Sequence, residues 1–231
     1  MVIKLVPRGI GLSTMKVVAV LSEKGGAGKT TLAVHLATAA TLAGKAAVIL
    51  DLDPQGSAYA WAQRRDAAPE AESIQPIALP SWLEKLRGAE ASFVVLDTGR
   101  DANNAGYTAA KVADIILIPC RAGGFDFLAL GRTLDLCRLA GKRPFVVLNA
   151  IRPGAVRAIE DARELLAEMD CELAPMVLHE RADYRAASMA ARSAQEIDPK
   201  GKAAREIGEL YNWVNRQLQS PTAQQPQEAG T

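Results

Sequence analysis

The sequence is poor in several things, and each shortage narrows what it can be. No apolar run approaches the roughly 18 residues of a membrane span. There are only three cysteines, Cys120, Cys137 and Cys171. Odd in number and widely spaced, they fit neither a disulfide framework nor a zinc pattern, and they point to a reducing cytoplasm. Neither charge dominates: 27 Lys and Arg stand against 26 Asp and Glu, a net charge of +1. A global basic excess therefore does not argue for nucleic acid, and DNA binding would have to come from a local patch. No internal repeat is visible. Residues 1–14 lack the apolar core of a signal peptide. They carry Leu5-Val6-Pro7-Arg8-Gly9, which looks like a thrombin-type tag site. Met15 stands just before the first strand-like run, so residues 1–14 read as an N-terminal extension or an expression scar.

What is present is apolar and ordered. Of 231 residues, 49% are hydrophobic, enough for one large domain over residues 15–218. Short runs rich in Val, Ile and Leu recur at Val17–Leu21, Ala47–Leu50, Phe93–Leu96, Ile115–Ile118 and Phe145–Leu148. Weaker ones lie at Ile74–Ala78 and Pro175–Leu178. Continuous short runs suit strands covered on both faces. Helix-length segments alternate with them, at Thr30–Ala43, Phe125–Ala140 and Val156–Met169, with Gly44 and Gly141 placed as left-handed caps. The expected fold is α/β: a doubly wound, mainly parallel sheet with helices on both faces. A last helix is expected over about 200–217, its stripe formed by Ala203, Ile207, Leu210, Tyr211 and Val214. Residues 219–231, polar and proline-interrupted, read as a disordered tail.

The first strand runs into Lys24-Gly25-Gly26-Ala27-Gly28-Lys29-Thr30-Thr31 and then a helix. Strand, glycine-rich turn and helix N-terminus make a phosphate loop. The glycines let backbone N–H groups close around phosphate oxygens, and the helix end adds partial positive charge. Lys29 would reach the β and γ phosphates and Thr30 would give its hydroxyl to Mg²⁺. The second strand ends in Asp51-Leu52-Asp53-Pro54-Gln55-Gly56-Ser57. Carboxylates at alternate strand positions point the same way; beside a phosphate site they can hold a metal-bound water and orient an attacking one, and elsewhere they are a solvated pair. Asp97, ending the hydrophobic strand Phe93–Leu96, reads as a Walker B residue that holds Mg²⁺ through water.

The loop departs from the general phosphate-loop rule by placing Glu23 at the first glycine position and Lys24 just inside. In this it resembles the deviant Walker A family that includes ParA, MinD and the nitrogenase iron protein, whose pattern K-G-G-x-G-K-[ST] it matches at every fixed position. The D-x-D-P-Q-G segment resembles ParA relatives, and the small plasmid-type partition ATPases are the nearest branch. The resemblance implies ATP and Mg²⁺ as ligands, with Gly25, Gly26, Ala27, Gly28, Lys29, Thr30 and Thr31 around the nucleotide. It implies that Lys24 crosses a dimer interface to the facing subunit's phosphates, that Asp53 places the nucleophilic water, that Asp51, with Thr30 and Asp97, supports the metal shell, and that Asn149 contacts the adenine. Relatives continue past the Walker B aspartate with a proline turn; here the chain reads Thr98-Gly99-Arg100-Asp101. Arg100 could sense a γ-phosphate, but a solvated loop arginine is the ordinary reading. Asp126 reads as structural, as a helix cap. His35 and His179 read as satisfied polar contacts, and Cys120 and Cys137 as buried thiols.

Three functions share this ground. A ParA-like ATPase would dimerise with ATP, bind DNA without sequence preference and segregate plasmid or chromosome with a ParB-type centromere-binding partner, associated with the cytoplasmic nucleoid. Its DNA contacts would come from Arg152, Arg157, Arg181, Arg185, Arg192, Lys200, Lys202 and Arg205. An accessory role in conjugative or T-DNA transfer is a cousin of that reading. A MinD-like membrane-cycling ATPase would need a basic amphipathic C-terminal helix, which the polar tail is not, so no membrane partner is expected. A metabolic enzyme of the same superfamily would need a substrate pocket or cluster cysteines.

Overall fold

The computed structural model describes residues 14–100, 105–169 and 171–219. The readings of residues 1–14 and 219–231 as extension and tail fall almost wholly outside them, as does Asp101. Seven strands form one sheet: β1 (Lys16–Val20), β2 (Ala47–Asp51), β3 (Glu70–Ser73), β4 (Phe93–Asp97), β5 (Ile115–Cys120), β6 (Phe145–Ile151) and β7 (Glu172–His179). Their order is β3-β2-β4-β1-β5-β6-β7, and every pair is parallel. The connection from β1 leads outward to β2, whereas the one from β4 passes over β1 to β5. That reversal leaves a crevice at the carboxyl ends of the central strands, where open α/β sheets bind ligands.

Nine α-helices cover the sheet among the described residues: α1 (Lys29–Leu42), α2 (Ser57–Ala62), α3 (Leu79–Gly88), α4 (Tyr107–Val112), α5 (Gly124–Leu139), α6 (Val156–Glu168), α7 (Ala182–Met189), α8 (Ala194–Ile197) and α9 (Lys202–Gln219). Alternation along the strands divides the core in two. Val17, Ala19, Val48, Leu50, Val94, Leu96, Ile116 and Ile118 face α3, α4, α5 and α6. Val18, Val20, Ile49, Val95, Ile115 and Leu117 face α1, α2 and α9. The α9 stripe of Ala203, Ile207, Leu210, Tyr211 and Val214 is buried throughout. Tyr211 stands edge-on to Phe93 and Trp213 to Phe145, at ring separations of 5.8 and 4.9 Å. The chain leaves α1 and α5 through Gly44 and Gly141 at positive φ, 81° and 69°, the left-handed caps expected of them.

One strand lies elsewhere than expected. Ile74–Ala78 is not a strand: Pro76–Ala78 is a 3₁₀ turn leading into α3, and proline favours such a helix start while withholding a ladder donor. The strand is the preceding Glu70–Ser73 at the sheet edge. Only Ala71 of it is buried, so it has no apolar run to announce it.

Candidate functional site

The carboxyl ends of β1, β2, β4 and β6 bring together most of the residues singled out above. The phosphate loop leaves β1 and turns into α1 through Gly28, whose φ of 99° is a conformation that L side chains avoid. A side chain there would also strike Asn149: a Cβ on Gly28 would lie 2.2 Å from its Nδ2. The Asn149 amide donates to the Ala27 carbonyl at 2.7 Å, so β6 clamps the loop. Thr133 of α5 accepts the Glu23 N–H at 3.3 Å, and Ser22 Oγ accepts the Lys24 N–H at 3.2 Å. Thr98, buried, donates to the Val20 carbonyl at 2.9 Å and pins the end of β4 to β1. Sequence reasoning singled out none of Ser22, Thr98 and Thr133; the bonds of Thr98 and Thr133 join segments that only the fold makes neighbours, while that of Ser22 is local.

Lys29 is buried, with its ammonium donating to the Lys24 carbonyl at 3.4 Å. Burial lowers its pKa below the ordinary range; Asp97 and Asp53 oppose this, and the charge of Arg100 adds to it. Asp97 is fully buried. Among the described residues no group meets either of its oxygens in hydrogen-bonding geometry. Burial, with the Asp51 charge adding, pushes its pKa up to about 7, although the nearby Thr30 hydroxyl and Lys29 pull the other way. A buried carboxylate left unpaired is costly. Here it stands beside the Thr30 hydroxyl, and these two oxygens fit Mg²⁺ carried in on a nucleotide, with Lys29 at the helix N-terminus left for the phosphates. Such an ion takes one or two carboxylates and completes its shell with water and phosphate. Among the described residues no group of three or more His, Cys, Asp or Glu could hold a metal by itself.

Asp51 and Asp53 part company. Asp51 is fully buried, and its two oxygens accept the N–H groups of Asp53 and Tyr59 at 3.0 and 2.9 Å. It ties the turn after β2 to α2. Burial raises its pKa. Asp53 is half-buried and accepts the Gln55 N–H at 3.0 Å. A Cβ on Gly99 would come 3.2 Å from its Oδ1, so the turn after β4 closes onto it. Arg100 is exposed, as a solvated loop arginine is, yet its side chain lies over the loop: a Cβ on Gly25 would lie 2.7 Å from its Nε and 2.8 Å from its Cζ.

Elsewhere the structure changes several assignments. Asp126 is not a cap; Gly123 holds that position without a side-chain bond and Asp126 sits in the first turn of α5, where its charge suits the helix end. His35 is only half satisfied: Nδ1 lies 2.7 Å from the Thr31 carbonyl, while the buried Nε2 has no hydrogen-bond partner among the described residues. Burial lowers its pKa to about 4. His179 pairs with Glu206 at 2.8 Å. Arg181, a candidate DNA contact, is held by the same Glu206, and Arg192 donates to the Glu196 carbonyl at 2.6 Å. Arg152, Arg157, Arg185, Arg192, Lys200, Lys202 and Arg205 are exposed, Arg205 lying 4.0 Å from Glu209. Cys120 and Cys137 are buried thiols whose pKa burial pushes up to about 12.

A nucleotide-binding P-loop fold is the class that this sheet and loop define. The pattern of the family described as the CobQ/CobB/MinD/ParA nucleotide binding domain matches residues 18–193. The chain belongs to that family, whose ParA and MinD members are ATPases. It is 35% identical over 219 residues to the maintenance of carboxysome distribution protein A of Gloeobacter kilaueensis, covering 91% of this chain and 97% of that one. Among solved structures it is similar to a chain of the MinC:MinD cell division protein complex of Aquifex aeolicus, with a TM-score of 0.72, 16% identity and coverage of 87% and 96%. The septum site-determining protein MinD of Pyrococcus horikoshii, solved with Mg-ADP, gives a TM-score of 0.70, 18% identity and coverage of 88% and 97%.

Proposed function

We propose that this protein is a ParA-like positioning ATPase that binds ATP with Mg²⁺, dimerises around it, and moves a cargo over DNA with the help of a partner protein. The observation that carries the reading is Asp97, buried and unpaired beside Thr30 and Lys29 under a phosphate loop. Thr30 and Asp97 would hold Mg²⁺, which would neutralise charge as the phosphoryl group transfers. Lys29 holds the β and γ phosphates. Asp53 orients a water whose oxygen bonds to the γ-phosphorus; the bond to the β–γ bridging oxygen breaks, its electron pair leaves on ADP, and the water's protons pass to phosphate and solvent. Asp51 supports this indirectly, by fixing the turn that carries Asp53. Asn149 holds the loop and faces the base.

Lys24 lines a cavity of about 390 Å³ at the mouth of the loop, beside Leu128 of α5, an apolar side chain 73% exposed. An exposed leucine next to the in-trans lysine suits a facing copy of the chain. The DNA face is carried by Arg152, Arg157, Arg185, Arg192, Lys200, Lys202 and Arg205; Arg181, paired to Glu206, drops out of it. With DNA as cargo, the partner is a ParB-type centromere-binding protein. A second reading, a protein body as cargo, is favoured by the 35% identity over most of the chain to a carboxysome distribution protein. A membrane-cycling role finds no support in α9, whose apolar stripe is buried against the sheet.

Retention on a non-specific duplex, with and without ATP and across a salt series, tests the proposal. Binding should require ATP and weaken steeply with salt, because phosphate contacts release counterions. ATP-independent or salt-insensitive binding would refute the DNA-positioning reading.

A further inference from the structure

The turn after β4 reads Thr98-Gly99-Arg100, and there Arg100 lies against the phosphate loop. Its guanidinium rests so closely on Gly25 that a methyl group would have to displace it, at 2.7 to 2.8 Å. The neighbouring Gly99 lets the turn down onto the Asp53 carboxylate. Arg100 shares the cavity at the loop's mouth with Lys24 and, from α5, Leu128 and Arg132. Glu23 is the acid of that cavity, and it faces Arg132 at 3.9 Å. Arg100 and Lys24 therefore share one space, and the charge of Arg100 bears on the buried Lys29 behind the loop. Cations held this close repel one another until an anion enters between them.

We propose that Arg100 is a further catalytic residue of this ATPase, an arginine supplied from the same chain that contacts the terminal phosphoryl group of the bound triphosphate. The inference rests on the nucleotide reading of the loop. Two features place the contact at the γ end: Arg100 rests on Gly25 and directly follows Gly99, which meets the Asp53 carboxylate, and its charge acts on the lysine that reaches the β and γ phosphates. A planar guanidinium offers parallel donors to two phosphoryl oxygens. It exchanges no proton. While the water oxygen bonds to phosphorus and the bridging oxygen leaves with its electron pair on the diphosphate, Arg100 stabilises charge on the oxygens between them, as arginine fingers do.

Arg100→Ala and Arg100→Lys in the full chain provide the test, with Mg²⁺ present throughout. The measurements are affinity for ADP, affinity for a hydrolysis-resistant triphosphate analogue, and single-turnover hydrolysis. With Arg100→Ala, ADP affinity should be unchanged, analogue affinity should fall about tenfold or more, and hydrolysis should slow about 100-fold. Arg100→Lys should restore only part, since it keeps the charge and loses the paired donors. Hydrolysis at the unaltered rate, or an equal loss of ADP and analogue affinity, overturns the proposal; the second result would make Arg100 a prop for the loop. If the unaltered protein binds neither nucleotide, the reading of the loop fails instead, a result distinct from either.

Discussion

Two regions of this molecule bury an acidic side chain among cations, and they treat it in opposite ways. At the β7–α9 contact, Glu206 accepts the His179 N–H at 3.2 Å, the His179 ring at 2.8 Å and the Arg181 Nε at 3.1 and 3.2 Å, with a further bond from the end of the Arg181 guanidinium. Burial would raise its pKa, but the bonds from Arg181 and His179 outweigh it and hold the carboxylate below its ordinary range. At the phosphate loop, Asp97 has no such bonds and is pushed up to about 7. Complete hydrogen bonding makes the first acid a fastener. The second is left short of partners at the mouth of a cradle, and a ligand that brings a cation would complete it. Polar burial is thus structural where it is satisfied and functional where it is not.

The sharpest way to break the comparison is Lys29→Ala. It should abolish tight nucleotide binding, by on the order of 100-fold or more, in a fluorescence titration; ordinary ATP affinity would end the claim that this region is the site. Next comes pH. The folded pKa of Asp97 lies above its unfolded value, so the stability it contributes is complete below about pH 4 and is lost as pH rises through about 7. His35 works the other way: its folded pKa of about 4 lies below the unfolded value, so stability is lost as pH falls from about 6.5 toward 4. The two slopes offset each other in the nucleotide-free protein. Asp97→Asn should therefore raise stability at pH 8, by at most about 4 kcal/mol, and uncover the acid loss due to His35. Denaturant unfolding from pH 4 to 8 in chelator reads both; parallel profiles for the two proteins would mean that Asp97 is not strained.

Glu206→Gln should cost about 3 kcal/mol, because it leaves Arg181 half-buried without its counter-charge, while nucleotide affinity stays as it was. Loss of affinity in step with stability would show that the regions are not separable. The finest distinction lies within the site. Asp53→Ala should slow hydrolysis about 100-fold and leave an ATP-bound dimer in size-exclusion chromatography, whereas Lys24→Ala should spare nucleotide binding by the single chain and weaken that dimer. Identical behaviour of the two variants would remove the division of labour between them.

Much of this was legible in advance. Strands buried on both faces must be apolar at every position, so β1, β2, β4, β5 and β6 stand out as runs. A phosphate loop needs glycines, a lysine and a hydroxyl in one short stretch, so local chemistry exposes it. Edge strand β3 buries one residue and leaves no such trace.

The sequence by itself determined the alternation of strand and helix, the loop, and the acids that end β2 and β4, because backbone conformation and side-chain period act over a few neighbouring residues. Tertiary structure decided which acid is which. Asp51 and Asp97 look alike at their strand ends, yet one meets the N–H groups of Asp53 and Tyr59 and the other meets none. It decided that Arg181 serves Glu206 and not a surface. It also laid Arg100 on Gly25, 75 positions away in the chain. Charges and hydrogen bonds act over a few ångströms of space, and only the folded chain sets those distances.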